Sequence, residues 1–163
     1  MAMTANERQR LIARYKAGYE RVTAALAGIA SAELDFRPGP NEWSAREVVH
    51  HLADSETIAA QRLRQLLVDD GPRIQAYDQE EYAQRLRYQS RAVEPALRAF
   101  EAARASTAQL LELMTETDWL RAGTHSESGP YSATKWLHLY ADHAEIHAEQ
   151  IQSNRAAWAA RRG

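Results

Sequence analysis

Four stretches of the chain repeat apolar residues at the three- and four-residue intervals that place them on one face of an α-helix. Breaks containing proline or glycine separate the stretches, and no run of residues has the composition of a β-strand of useful length. Long helices with one apolar face bury that face against one another. The pattern therefore predicts an all-α four-helix bundle, with helices over about 5–30, 44–68, 93–115 and 132–154.

The second helix has the best-defined start. Ser44 and Glu47 have the spacing of a capping box, in which the serine accepts from the backbone N–H three residues on and the glutamate reaches back. Trp43, directly before the cap, can pack on Val48 as a hydrophobic staple. Ser132 has the position of an N-cap for the fourth helix. These signals predict where the two helices begin.

Two connections between the helices are long. The segment Asp69 to Pro72 ends the second helix, and a short helix is predicted after it, from about Asp78 to Leu86. The segment Asp118 to Tyr131 contains two glycines and a proline and is predicted to be a loop. Because the connection between the second and third helices is long, the bundle need not be simple up-and-down.

Length and charge limit the classes of protein. The chain has 163 residues, too few for two ordinary domains, so residues 1–163 are predicted to form a single domain. Its formal charge is −2 with the signs interspersed, which predicts neither a nucleic-acid nor an anionic-membrane partner. No apolar run approaches roughly 18 residues and no signal-peptide core is evident at the start, so a cytoplasmic location is expected.

Two histidines, His143 and His147, lie four residues apart in the fourth predicted helix. Residues at this spacing share one face, with Cβ atoms about 5–6 Å apart, which suits two nitrogen ligands of one metal ion. The chain has no cysteine, so any metal must be held by His, Asp or Glu. The pair lies on or beside the inward face predicted by the larger apolar residues of this helix, which are Trp136, Leu139, Tyr140, Ile146 and Ile151.

A third ligand is available from the second helix, where His50 and His51 are adjacent. Adjacent residues lie about 100° apart around a helix, so only one of them can face the core. His51 is aligned with Val48, Leu52 and Ser55, which predicts that His51 points inward and that His50 is peripheral. One histidine from this helix and two from the fourth would form a three-histidine set with at least one open position.

Three polar residues could orient these imidazoles, because a ligating histidine usually donates its other N–H to an oxygen acceptor. They are Asp54, Asp142 and Gln150. A solvated helix surface is an equal alternative for the two carboxylates, and ordinary packing is the alternative for Gln150. His125, in a polar loop, and His138, at a helix flank, are predicted not to be ligands.

Two other metal motifs do not fit the chain. A zincin has glutamate directly after its first histidine, whereas Ala144 follows His143 here and Glu145 points about 200° away. A ferritin-like di-iron bundle needs paired Glu-x-x-His motifs. This chain has one, from Glu47 to His50, and its glutamate already serves the capping box.

The stretch from Glu42 to Ser55, followed much later by the stretch from His143 to Ile151, resembles the DinB-like superfamily and, within it, the YfiT-type metal-dependent hydrolases. Lesser similarities are Ile74 to Asp78 in the connection and His125 to Gly129 before the fourth helix. The resemblance covers nearly the whole chain, and its short motifs are specific in their joint order and spacing.

The resemblance implies a four-helix bundle with one divalent metal ion, such as zinc, nickel or iron, held by His51, His143 and His147. It implies an enzyme acting on a small electrophilic substrate, as a hydrolase or as a transferase that uses a thiol such as bacillithiol or mycothiol. The attacking group would be water or a thiol activated by the metal, and a thiol would be a cosubstrate because the chain has no cysteine. Together with exposed apolar positions on the long helices, the resemblance also predicts a homodimer.

A non-enzymatic bundle that binds a metal or another ligand is the alternative hypothesis. No carboxylate or hydroxyl group is evident in the sequence as a general acid or base beside the three histidines. A fourth protein ligand on the metal would favour this closed, structural site, whereas an open position would favour catalysis.

Overall fold

Four long helices form the body of the molecule in the computed structural model, which describes residues 3–161. They are α1 (Ala5–Leu26), α3 (Ala45–Val68), α5 (Val93–Leu113) and α7 (Ala133–Ala160). Each packs mainly against two neighbours, so that α1 and α3 both contact α5 and α7. This arrangement confirms the predicted all-α four-helix bundle.

The predicted helix starts are present as hydrogen bonds. The Ser44 hydroxyl accepts from the Glu47 backbone N–H at 3.3 Å, and the Glu47 carboxylate accepts from the Ser44 backbone N–H at 2.9 Å. The same carboxylate is buried and accepts from Arg37 Nε at 2.8 Å. Ser132 caps α7 by accepting from the Lys135 backbone N–H at 3.1 Å.

Helix ends were less well predicted than helix starts. The first helix ends at Leu26, before Gly28 adopts a left-handed φ of 69°, and the short helix α2 (Ser31–Leu34) follows. The last helix continues beyond residue 154 as far as Ala160. The short helix predicted in the long connection is confirmed as α4 (Gln79–Arg85), capped by an aspartate side chain.

A small sheet lies where a loop was predicted. The strands β1 (Arg73–Ile74), β2 (Ala122–His125) and β3 (Gly129–Ser132) form a three-stranded sheet. β1 runs parallel to β2, which pairs antiparallel with β3. The prediction that residues 118–131 form a loop is therefore wrong. These residues contain β2, most of β3 and the end of the short helix α6 (Glu116–Trp119).

The glycines that favoured a loop over residues 118–131 instead permit a close approach of the backbone in the sheet. A Cβ atom on Gly123 would lie 2.2 Å from the carbonyl oxygen of Pro72, so this glycine permits β2 to approach the chain before β1. Gly129 adopts a φ of 68° at the hairpin turn. Strands of two to four residues are too short to show the alternation that identifies a strand in a sequence.

A buried ion pair joins the helices in the core. Glu56 on α3 is fully buried, and its Oε2 accepts from Arg104 Nη1 on α5 at 2.6 Å. Arg104 also donates to the backbone carbonyls of Tyr15 on α1 and Tyr140 on α7. A single guanidinium thus contacts all three neighbouring helices. A Cβ on Gly18 would lie 2.7 Å from both Arg104 Nη2 and the Ala144 Cβ, so glycine at this position permits α1 to lie close to the guanidinium and to α7.

The buried face of α7 covers a narrower part of the helix surface than the positions of its larger apolar residues indicate. Leu139 and Ile146 are 51% and 57% exposed, whereas Trp136 and Ile151 are fully buried. At about 100° per residue, the two exposed residues lie about 80–100° from the direction of His147 and so fall at the edge of the buried face. Within residues 3–161, no helix is long and apolar enough to cross a membrane.

Candidate metal centre

Two side-chain hydrogen bonds set the register of α3 against α7. Trp136 Nε1 on α7 donates to the Ala59 carbonyl on α3 at 2.8 Å. Asn154 Nδ2, further along α7, donates at 2.8 Å to the carbonyl of Trp43, just before α3 begins. The helices therefore run antiparallel, and these bonds hold them on either side of His51, which faces the middle of α7.

His51, His143 and His147, here called the histidine trio, converge between these two bonds. His143 Nε2 lies 3.4 Å from His51 Nε2 and 3.2 Å from His147 Nε2. The three potential ligand atoms all lie within 4.8 Å of one another. In a tetrahedral zinc site with Zn–N distances of about 2.0–2.1 Å, ligand nitrogens are about 3.3–3.4 Å apart. The donor set therefore fits one small divalent ion.

Burial keeps the trio in the neutral form that can bind a metal. Burial, together with the neighbouring His147, lowers the pKa of His51 to about 3. Burial and the other two histidines lower the pKa of His143 to about 2. Burial also lowers the pKa of His147, and the hydrogen bond that His147 donates to Gln150 opposes this effect. At neutral pH each ring has an unprotonated nitrogen, as metal ligation requires.

Gln150 is the one predicted orienting residue that the structure places against the trio. Its Oε1 lies 2.8 Å from His147 Nδ1. An oxygen accepts but cannot donate, so this contact puts the proton of His147 on Nδ1 and leaves the Nε2 lone pair directed at His143. Gln150 thus selects the tautomer that a metal site needs.

The two predicted carboxylates have other partners. Asp54 Oδ2 accepts from the Tyr88 hydroxyl at 2.6 Å. Asp142 Oδ1 forms an ion pair with Arg14 Nη1 at 2.9 Å. Within the described residues, neither carboxylate has a hydrogen bond to the trio, so the proposed orienting role of Asp54 and Asp142 receives no support from the structure.

His50 is buried, and the prediction that it lies at the periphery is wrong. It is 1% exposed, its ring stacks on Tyr88 at 5.5 Å, and its Nε2 donates to the Arg91 carbonyl at 3.2 Å. It faces the connection that precedes α5 and not α7. A connection folded over α3 buries a second face of that helix, and the helical pattern of α3 alone does not show this.

His125 and His138 lie outside the trio, as predicted. His125 Nδ1 accepts from the backbone N–H groups of Glu127 and Ser128, both at 3.3 Å, so it stabilises the hairpin turn. His138 is about half exposed, and its Nε2 lies 4.0 Å from a Glu7 carboxylate oxygen.

Aromatic neighbours of the trio were not predicted as site residues. The Trp43 ring lies 4.8 Å from the His51 ring, and the Tyr140 ring lies 5.8 Å from the His143 ring. The Tyr140 hydroxyl accepts from Arg62 Nη1 at 3.2 Å. The spacing of Tyr140, three residues before His143, is the signal that could have identified it.

Residues 14–151 match the sequence model of the DinB superfamily. The chain belongs to the DinB superfamily. The membership predicted from the stretches around His51 and His143 is therefore confirmed.

Several proteins similar to this chain carry the name "putative metal-dependent hydrolase". One from Oceanobacillus iheyensis is 35% identical over 121 residues, covering 74% of this chain and 70% of the relative. One from Geobacillus kaustophilus is 31% identical over 155 residues, covering 93% of this chain and 85% of the relative.

A solved structure of the same fold is also similar. It is YfiT from Bacillus subtilis, described as a probable metal-dependent hydrolase with an unusual four-helix bundle topology. The TM-score is 0.91 at 20% identity, covering 97% of this chain and 91% of the other. At this identity the likeness shows the fold of this DinB superfamily member.

Proposed function

We propose that this protein is a mononuclear metal-dependent hydrolase that acts on a small electrophilic substrate. The observation that carries the proposal is the convergence of three imidazole nitrogens from α3 and α7, spaced 3.2 and 3.4 Å apart as metal ligands are. The names of the relatives support the same reading.

The histidine trio would hold a divalent ion by three neutral nitrogens. A four-coordinate ion then has one position that the protein does not fill, which distinguishes catalytic from closed structural sites. A bound ion would lower the pKa of a water molecule or a thiol and would polarise an electrophile. Imidazole ligands suit zinc, nickel and iron alike.

The side chains beside the trio can donate hydrogen bonds but are poor bases. Burial raises the pKa of the Tyr140 phenol, so it keeps its proton at neutral pH. Its oxygen accepts from Arg62, which leaves the phenol proton free to point elsewhere. Such donors stabilise negative charge that develops on a substrate, as in acyl transfer.

Metal analysis of the purified protein tests the metal site. We expect about one divalent ion per chain after reconstitution at neutral pH, and loss of the ion in His147→Ala. His138→Ala is the matched control because it removes a half-exposed imidazole from the same helix. Absence of a stoichiometric ion from the reconstituted wild type would refute the proposal.

The reaction class is tested by assaying the metal-loaded protein on ester and amide substrates, with and without an added low-molecular-weight thiol such as bacillithiol. Hydrolysis without a thiol supports the proposed hydrolase. Turnover that requires the thiol would show a transferase instead. Stoichiometric metal with no turnover, together with a fourth protein ligand on the ion, would show the non-enzymatic bundle.

A further inference from the structure

Among residues 3–161, Arg62 on α3 is a buried cation without an acidic partner. The residue is 7% exposed, and its two hydrogen bonds in this part of the chain go to neutral oxygens, the Tyr140 hydroxyl at 3.2 Å and the Gln75 carbonyl at 2.7 Å. Within residues 3–161, no carboxylate lies at ion-pairing distance from it. A guanidinium has five N–H donors, so part of its hydrogen-bonding capacity is unused.

The contrast with Arg104 shows that this arrangement is not general in the core. Arg104 is buried to a similar degree, 2% exposed, and is neutralised by Glu56 at 2.6 Å. Taking an unpaired charge out of water is costly, and a neutral donor could serve the two oxygens that Arg62 contacts. The absence of a counter-charge at Arg62 therefore points to an anion supplied from outside the chain.

Three phenols surround this guanidinium. The Tyr77 ring lies 5.7 Å from it, the Tyr140 hydroxyl accepts from it at 3.2 Å, and Tyr131 lies close enough for the Arg62 charge to oppose the rise of its pKa. Burial raises the pKa of the Tyr77 and Tyr131 phenols, so these two stay protonated and can donate to an anion. Arg62, Tyr77, Tyr131 and Tyr140 are here called the Arg62 cluster.

The Arg62 cluster adjoins the histidine trio along both helices. On α7, Tyr140 lies one turn before His143, with ring centroids 5.8 Å apart. On α3, Ser55 lies one turn after His51 and forms a side-chain hydrogen bond with Tyr77. Tyr140 on α7, and Ser55 with Tyr77 on the α3 side, thus connect the metal ligands to the guanidinium through separate contacts.

The opposite side of the cluster faces the surface. Gln75, whose carbonyl holds Arg62, has an exposed side chain, and Tyr77 is only partly buried. Both belong to the connection between α3 and α5 and not to a helix. The Arg62 cluster therefore lies between the histidine trio and a partly exposed segment of irregular chain.

We propose that the Arg62 cluster binds the carboxylate of an anionic substrate and holds its reactive carbon toward the histidine trio. This inference rests on the proposed function, because only that function makes the bound molecule a substrate. The guanidinium fork accommodates a carboxylate by two parallel N–H bonds, and the phenols donate further hydrogen bonds. The substrate class is therefore carboxylate-bearing esters or amides.

Benzoate and benzamide, which share a shape and differ in charge, test the binding. Both are titrated into the full chain, in its metal-loaded form and in His147→Ala, while the arginine Nε–H resonances are followed by NMR. We expect saturable benzoate binding that shifts the Arg62 resonance, and benzamide binding at least about tenfold weaker. The His147→Ala form separates this binding from coordination of benzoate to a metal.

The decisive comparison is between Arg62→Gln and the matched control Arg64→Gln. Arg64 lies on the same helix, and the hydrogen bonds of its side chain within the described residues also go to neutral oxygens, those of Ala60, Ser106 and Thr107. Benzoate affinity should fall at least about tenfold in Arg62→Gln and stay unchanged in Arg64→Gln. Equal benzoate affinity in the two variants would overturn the inference.

The wild-type measurement alone keeps the inference testable if Arg62→Gln does not fold. Equal affinity for benzoate and benzamide, or a benzoate response that leaves the Arg62 resonance unmoved, also overturns it. If benzoate binding fails while metal binding and hydrolysis hold, the proposed function stands and this inference falls. If no metal binds, the benzoate titration still decides the anion site.

Discussion

Replacing Arg104 by methionine should cause a large loss of stability that depends on pH. The variant keeps an aliphatic side chain of similar length but leaves Glu56, which is fully buried, without its cation. It also removes the hydrogen bonds of Arg104 to the Tyr15 carbonyl at 2.6 and 3.0 Å and to the Tyr140 carbonyl at 3.3 Å. Removing one partner of a buried ion pair costs about 3–5 kcal/mol.

The pH dependence follows from the carboxylate left behind. Burial raises the pKa of Glu56, and the Arg104 guanidinium opposes that rise in the wild type. Without the guanidinium, the folded state retains a proton that the unfolded chain releases near pH 4.3. The free energy of unfolding of the variant therefore decreases as pH rises above about 4.3, up to the raised folded-state pKa. The deficit should be larger at pH 7.5 than at pH 5.

Urea denaturation at pH 5 and pH 7.5 measures this deficit. Lys16→Met is the control, because it breaks an exposed ion pair with Glu112 and should cost less than about 1 kcal/mol. Adding Glu56→Gln to Arg104→Met should restore part of the loss at pH 7.5. A deficit that is the same at both pH values, and unaffected by the second substitution, would mean that lost packing and not an uncompensated charge is the cause.

Three further predictions concern other parts of the molecule. Gly18→Ala should cost about 1–3 kcal/mol in thermal denaturation, because the added Cβ would lie 2.7 Å from the Ala144 Cβ; a neutral effect would show that α1 and α7 can separate easily. Gln150→Ala should weaken metal affinity about 10–100-fold in chelator competition, whereas Gln152→Ala, at an exposed position of the same helix, should not; equal effects would remove the orienting role. If the predicted homodimer forms through the exposed apolar face of α7, Leu139→Lys should convert it to a monomer in sedimentation velocity; an unchanged sedimentation coefficient would exclude that face.

Local signals predicted the parts of the structure that short-range physics determines. The Ser44–Glu47 capping box placed the start of α3 correctly, and the alignment of His51 with Val48, Leu52 and Ser55 correctly predicted that it points inward. The i,i+4 spacing placed His143 and His147 together. Each of these interactions joins residues within one helical turn, so the sequence alone carries them.

The remaining features depend on contacts between distant segments. His50 is buried because the connection ending at Arg91 folds over α3, and no pattern within α3 indicates that cover. The strand β1 has two residues and exists because Gly123 lets β2 approach Pro72. In the sequence, Arg62 cannot be distinguished from a surface arginine, because its surroundings depend on contacts with Gln75 and Tyr140.

The trio and the Arg62 cluster are built from different kinds of chain. The three nitrogens come from two helices held in register by the hydrogen bonds of Trp136 and Asn154. Much of the Arg62 cluster and its surroundings comes from irregular chain and a hairpin. The connection between α3 and α5 carries Gln75 and Tyr77, and the β-hairpin carries Tyr131. A change in the length or composition of those segments would alter the shape of the proposed anion site without moving the three nitrogens.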